Sequence, residues 1–366
     1  MVPETLSDRA VGRATLGRQM LLERADVRVL DAVERLVGLQ AQAPFSPYYG
    51  LWSRVDGFGP DDLAQRIIDR SVVRIVVMRG TVHLVSADDC VMLRGWLQPT
   101  MERDLDKALG ARGIDGVDLG ELAAVARKLL EDAPLTPAEL TPQLVEHFPD
   151  AKADGLMFAV RTMLALVQPP PRAVWGQSGA ARLTTVEAWL GRSIDRAPDP
   201  AAIVRRYLAG FGPASVADLQ TWSGLTRLRE VVDPLRDELV AFRDEQGKEL
   251  FDLPDAPRPD PDTPAPPRFL PDFDNLLRSH AARSRVISDD DRKRIATKNG
   301  VSPHTVLVDG RYAGIWRINQ EPGRAVLAID LHHPVNDDDR GELVAEGHRL
   351  LDFAAPDATG EVVVGG

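Results

Sequence analysis

The sequence holds a single cysteine, Cys90, which excludes an internal disulfide framework and a thiolate metal cluster and suits a reducing compartment. No run of about 18 apolar residues occurs, so no membrane helix is expected. The opening stretch MVPETLSDRAVGRATLGRQ also lacks the unbroken apolar segment of an export signal. A cytoplasmic location is therefore expected. Absent too are a G-x-S-x-G elbow, a phosphate-cradling glycine loop and a dinucleotide fingerprint, so the familiar enzyme classes find no support. Among the seven histidines, His332 and His333 are adjacent, but neighbours on a strand point to opposite faces and no third ligand stands at a recognisable spacing. Neither a metal nor another cofactor is expected.

Positive charge is also in deficit. The formal net charge is −11, which by itself argues against binding phosphate-rich partners. Its distribution is uneven, however. Arg278, Arg283, Arg285, Arg292, Lys293, Arg294 and Lys298 fall close together, interrupted by three consecutive aspartates. A basic concave face on an acidic body therefore stays open.

At 366 residues and 44% hydrophobic content, the chain is long enough for several small cores. In a first module, 6–95, apolar residues recur at helical spacing over 7–23 and 26–37, and Asp61 and Asp62 open a third helix. Two β-branched runs, 72–78 and 81–86, then flank Arg79-Gly80 as a hairpin. Three helices followed by a two-stranded wing is the winged form of the helix-turn-helix. A second such module is expected at 96–190, with residues 172–175 and 181–184 as its wing. A third is expected at 198–254, with short helices around Gly224 and strands flanking Gln246-Gly247. Residues 255–267 lie in a stretch with seven prolines in fourteen residues (PDAPRPDPDTPAPP) and read as an extended linker. Beyond it, 268–366 reads as a β-rich domain with a hairpin at Asp309-Gly310, a further strand at 325–331, a helix over 336–352 and a last strand at 361–364. The expected class is α+β.

The segment Val37-Gly-Leu-Gln40-Ala-Gln42-Ala-Pro44 invites a chemical reading. Gly38 terminates the preceding helix and Pro44 keeps Ala43 out of the α region, so the stretch is expected to be extended. Residues two apart then share a face, and Gln40 and Gln42 would present two amides side by side to a water or a sugar-phosphate edge. By spacing alone, they suit two ordinary polar loop residues better.

Four stretches in order change that weighting: the QAQ after an apolar helix, RGTVHLVSADD at 79–89, FLPDFDNLLRSHAARSR at 269–285 and VLVDGRYAGIWR at 306–317. Together they resemble the winged-helix DNA glycosylases of the AlkZ type, the azinomycin-resistance family. The resemblance implies a C-shaped array of winged helices around a DNA channel. It also implies monofunctional excision of N7-alkylated purines, including bulky adducts and interstrand crosslinks, and a Gln-x-Gln catalytic motif, which falls on Gln40 and Gln42. A related branch, the YcaQ type, has aspartate at the second position, so Gln42 favours the natural-product-resistance branch.

The expected partner is double-stranded DNA carrying N7-alkylpurine lesions, handled by a monomer with no membrane attachment and no obligate protein partner. Arg311, with Tyr312 behind it at the hairpin tip, is a candidate minor-groove wedge. Arg79 and His83 on the first wing are further DNA-binding candidates, and Arg283 and Arg285 are candidates for phosphate contact. Each of these also has a plain structural reading, as a turn residue, a packed strand residue or an ion pair. Two other functions compete: a winged-helix transcription regulator without catalysis and a protein–protein module.

Overall fold

Ser7 accepts a hydrogen bond from the Ala10 amide at 3.1 Å and so caps the first helix, α1 (Asp8–Arg18). The computed structural model describes residues 3–296 and 302–365 of an α+β chain; Lys298 lies outside the described residues. Helix α2 (Val29–Arg35) stops where Val37 and Gly38 take positive φ, 50° and 86°, and the two-residue strand β1 (Leu39–Gln40) follows. Next comes α3 (Ser46–Trp52), with Pro47 in its first turn. Its seven residues are too few to show a helical period, and sequence reasoning missed it.

Contacts divide the chain into two units, Met1–Gly59 with Ala201–Gly366 and Pro60–Pro200. The second begins with α4 (Pro60–Ile68), whose first turn carries Asp61 and Asp62 as expected. Strands β2 (Val72–Val76) and β3 (Val82–Ser86) form the anticipated hairpin, in register from Val72↔Ser86 to Val76↔Val82. Arg79 and Gly80 adopt φ of 56° and 66° in its turn. Ser86 then caps α5 (Ala87–Arg112), a 26-residue helix that buries Cys90 and ends at Gly113 with φ 65°.

Helices α6 (Leu119–Asp132), α7 (Pro137–His147) and α8 (Ala153–Met163) enclose a core of Leu122, Leu130, Leu140, Leu144, Leu156 and Val160. Thr136 and Glu139 make a capping box at the start of α7. The strand expected at 172–175 is instead a turn, because Ala173 sits at φ 70°, where no strand residue sits. The pairing there is between β4 (Leu166–Val167) and β5 (Thr184–Thr185), and Val167 also pairs with Ile75, so this strand extends the first hairpin's sheet. Two-residue strands carry no alternation for sequence to show. The short helix α9 (Val186–Leu190) closes the unit.

Back in the first unit, α10 (Pro200–Phe211) precedes α11 (Val216–Ser223), which a Ser215–Asp218 capping box starts and Gly224 ends. After α12 (Arg229–Val232), strands β6 (Val240–Arg243) and β7 (Glu249–Asp252) pair antiparallel as anticipated. Asp244 Oδ1 accepts the Gln246 and Lys248 amides at 3.0 and 2.7 Å, forming their turn.

Strand β8 (Arg268–Leu270), helices α13 (Asn275–Arg278) and α14 (Asp289–Arg294) and strands β9 (His304–Val308), β10 (Arg311–Glu321) and β11 (Arg324–Leu331) follow. Helix α15 (Asp337–Ala354) and β12 (Thr359–Gly365) complete the chain, and the C-terminal sheet runs β12-β11-β10-β9-β8. All its joints are antiparallel except β11–β12, which α15 connects as a parallel crossover. Among the described residues no helix is long and apolar enough to cross a membrane.

The proline-rich segment 255–267 contains neither helix nor strand, yet it does not hang free. Proline lacks an N–H but keeps its carbonyl as an acceptor. Guanidiniums of α1 take up these carbonyls: Arg9 Nε donates to Pro261 O at 2.8 Å and Arg13 Nε to Thr263 O at 2.7 Å. Arg18, further along α1, donates to both Asp252 oxygens at 2.6 and 2.8 Å, with both side chains 0% exposed. Breaking such a buried pair from one side strands the other charge, at a cost of about 3–5 kcal/mol. Asp252→Ala is therefore expected to lower the unfolding midpoint in urea sharply. The double variant Arg18→Met/Asp252→Ala should recover part of the loss, and a fully additive loss would contradict the pairing.

Candidate functional site

Asp274 organises the surroundings of the glutamine segment. It caps α13 by accepting the Leu276 amide at 2.9 Å. The same carboxylate accepts Arg54 Nη2 and Nη1 at 2.8 and 2.9 Å, both side chains being at most 2% exposed. Arg54 Nη1 also holds Gly50 O of α3 at 2.9 Å. The neighbouring Asn275 amide donates to Gly38 O at 2.6 Å, two residues before Gln40. The turn made by 272–275 thus clamps α3 and the chain entering β1 at once.

Extended backbone is narrower than expected here. Strand β1 ends at Gln40, Gln42 and Ala43 form a bend, and Pro44 and Phe45 a turn. Gln40 is 7% exposed and Ala41 fully buried, whereas Gln42 is exposed. The alternation that would set both amides on one face does not run through 42, because the chain bends toward α3. Asp272, which sequence reasoning passed over, accepts the Ser46 hydroxyl and lies 3.6 Å from His304 Nε2. His304 packs edge-on to Trp316 at 4.3 Å, and burial lowers its pKa against the pull of Asp272. The signal that could have found Asp272 was its place in the run FLPDFDN.

Several expected DNA contacts turn out to be structural. His83 is 1% exposed. Its Nδ1 lies 2.9 Å from Thr81 O and its Nε2 3.2 Å from Arg79 Nη2, so the neutral ring donates through Nδ1 and accepts from the half-buried Arg79. Burial first, and then the Arg79 charge, push it down to about 3. Arg285 is buried, donates to Pro213 O at 2.9 Å and lies 3.5 Å from Asp218; it cannot reach a phosphate. Arg283 is only partly buried and lines a cavity.

The hairpin tip is likewise occupied. Asp309 accepts Arg9 at 2.6 Å and also accepts Arg13. Gly310 at φ 72° is buried where a Cβ would strike Leu16 and Arg13. Tyr312, 5% exposed, belongs to the core with Leu16 and Leu307 and bonds His332 Nδ1 through its hydroxyl at 2.7 Å. The tip docks on α1 rather than projecting, and Tyr312 is not a wedge; Arg311 alone of this group is exposed.

Comparison with known proteins adds to this geometry. The family model described as "DNA glycosylase AlkZ-like" matches residues 33–353. An "Interstrand DNA cross-link repair glycosylase" of Streptomyces sahachiroi is 24% identical over 329 residues, spanning 82% of this chain and 85% of its own. Among solved structures, Streptomyces sahachiroi DNA glycosylase AlkZ is similar at a TM-score of 0.81 and 20% identity, over 98% of this chain and all of that one. The structural likeness shows a shared fold.

The buried histidines have a consequence for pH. His83 and His280 are each pushed down to about 3, chiefly by burial. Their folded pKa lies below the ordinary value near 6.5, so their contribution to stability is whole above pH 6.5 and is lost as pH falls toward 3. For Asp218, burial opposes the charge, but Arg285, His280 and the Ser215 hydrogen bonds hold it at about 2, which adds a loss below pH 3.8. On unfolding at pH 4–6 the two histidines should thus take up roughly two protons from solution. Unfolding free energies measured across that range should decrease as the pH is lowered from 6 to 4, and a flat profile would contradict the neutral histidines.

Proposed function

Because the chain belongs to the AlkZ-like DNA glycosylase family, matched over residues 33–353, its substrate is DNA, and we propose that it hydrolyses the N-glycosidic bond of N7-alkylated purines. Gln40 and Gln42 are the residues we assign to the chemistry. Supporting this is one observation above all: the family match covers a glutamine segment whose entry is clamped by Asn275 on Gly38. The transcription-regulator alternative loses its ground to that match. Since the Streptomyces sahachiroi relative is named for interstrand cross-link repair, bulky adducts and crosslinks are the lesions we put forward, with self-resistance to a natural-product genotoxin as the role.

A purine alkylated at N7 is cationic, so its glycosidic bond is weakened and the base leaves without a proton from the enzyme. What remains is to place water and to stabilise an oxocarbenium-like sugar. Glutamine cannot take a proton near neutral pH, but its carbonyl orients water and sets a negative dipole end near C1′. Gln40 is nearly buried and Gln42 exposed, which suits one amide held rigidly and one reaching substrate. The reaction needs no metal or cofactor, and we regard the enzyme as monofunctional and monomeric, acting in the cytoplasm. We take the helix–hairpin groupings at 6–95, 96–190 and 198–254 as winged-helix modules set around a DNA channel, ahead of the β-rich 268–366. Arg79, Arg283 and Arg311 remain the candidates for contact with the duplex.

Gln40→Ala and Gln42→Ala should each slow single-turnover excision of N7-methylguanine by tenfold or more, about 1.4 kcal/mol of transition-state stabilisation, with DNA affinity little changed. Full activity in the double variant would overturn the assignment. Asn275→Ala should also slow excision, since Gly38 and the segment behind it lose their tether. Excision at the native rate in that variant would show that the clamp does not position the glutamines.

A further inference from the structure

In the first unit the buried Arg13, Arg18, Arg54, Arg268 and Arg285 each face a carboxylate, whereas among the described residues the half-buried Arg278 and Arg283 do not. Between α13 and α14 lies a cavity of about 380 Å³, lined by Leu277, Arg278, Arg283, Ile287, Arg292 and Lys293 among others. Arg283 is anchored through Nε to His280 O at 3.0 Å, and its two terminal nitrogens have no hydrogen-bond partner among the described residues. Arg278 rests on the Phe273 ring at 5.3 Å, and among the described residues neither it nor Arg283 forms an ion pair. The one carboxylate on the wall, Asp289, is already bonded to Arg292 at 2.7 Å. Lys293 pairs outward with the exposed Asp290 at 3.1 Å.

Arg278 and Arg283 therefore line one cavity without an ion pair, next to Arg292, whose charge Asp289 takes up, while Lys293 is paired outward at the rim. Like charges held this close, and partly stripped of water, raise the free energy of the folded chain unless an anion enters. The strain is visible on the groups themselves. Arg283 is pushed down to about 10, first by burial and then by Arg292 and Arg278, and Arg278 is lowered by burial and by Arg292. Guanidiniums converging from different elements match the several oxygens of a phosphate, each able to donate through two nitrogens. The apolar walls, Leu277 and Ile287, leave room for the sugar attached to it, and the volume lies at the small end of ligand sites.

We infer that this cavity is a phosphate-binding site, distinct from the Gln40–Gln42 segment, that takes a backbone phosphate of the nucleic-acid strand. It rests on the DNA reading above and adds to it a specific anchoring point. A free nucleoside monophosphate offers the same chemistry, and the test separates the two sources.

Affinity of a short undamaged duplex is measured by fluorescence anisotropy over a series of KCl concentrations, for the intact chain and for Arg278→Gln/Arg292→Gln. Among the described residues neither side chain donates to a backbone carbonyl of the core, and a melting temperature on each sample checks folding. A second variant, Arg292→Gln/Lys293→Gln, changes only partly exposed side chains and serves if the first does not fold. Loss of one phosphate contact should reduce the slope of log K against log[salt] by about 0.9 and weaken binding several-fold at low salt. In parallel, millimolar deoxyadenosine monophosphate and inorganic phosphate are tested for a rise in melting temperature, which binding to the folded state requires. A reduced salt slope in a folded variant supports the strand phosphate. An unchanged slope, with a nucleotide-induced melting shift present in the intact chain and absent from the variant, overturns the strand and assigns a free nucleotide. An unchanged slope with no melting shift overturns the site altogether. Because the slope is read on undamaged DNA, an intact chain that excises alkylated bases while its variants keep their slope overturns the strand-phosphate contact and leaves the glycosylase assignment standing.

Discussion

The pair of Arg54 with Asp274 is the constraint on which the candidate site depends. Both side chains are out of water and matched bidentately. The desolvation of two charges is offset only when geometry is this good and the remaining hydrogen-bond capacity is used. Most of it is used: Asp274 also caps α13 and Arg54 also holds the carbonyl of Gly50, and only Arg54 Nε of the pair is buried without a partner among the described residues. With the turn so fixed, Asn275 meets Gly38 at 2.6 Å, and the path of the chain into Gln40 and Gln42 follows. Loss of either partner would leave a buried charge uncompensated and release α3, α13 and β1 together.

The same economy of charge runs through the first unit. Arg13, Arg18 and Arg285 are buried and spend their nitrogens on carbonyls and carboxylates. In the second unit Arg94 does likewise, donating to Thr162 O at 2.6 Å and Leu164 O at 3.0 Å. Guanidinium, with five donors in a planar fork, satisfies several irregular backbone carbonyls at once. A chain with loops such as 255–267 and few regular strands near them needs such donors for its own fold. Counting basic residues therefore overstates the surface available to DNA, and Arg278 and Arg283 stand out because neither forms an ion pair among the described residues.

The proposed catalytic pair of neutral amides would be weak by the standards of hydrolases, and it would suit a substrate that already carries the leaving group's positive charge. Such a site gains selectivity from what it lacks: an unalkylated purine needs protonation that neither glutamine supplies. The burial of Gln40 beside the clamp limits the freedom of its amide, which is what water positioning requires.

Local pattern alone determined much of this protein. The β2–β3, β6–β7 and β9–β10 hairpins, the helix that ends at Gly224 and the glycine stop at Gly38 were legible, because turn chemistry and periodicity act within a few residues. Ordered motifs likewise pointed to the glycosylase family that the comparisons show. Tertiary structure decided the rest. Whether Arg285 faces phosphate or Asp218, whether Asp309-Gly310 probes a groove or seats on α1, and whether Gln42 shares a face with Gln40 depend on partners 67 to 300 residues away or on a bend imposed by packing. A charged side chain has the same sequence signature buried or exposed, since its pairing energy comes from a group that the local chain does not contain.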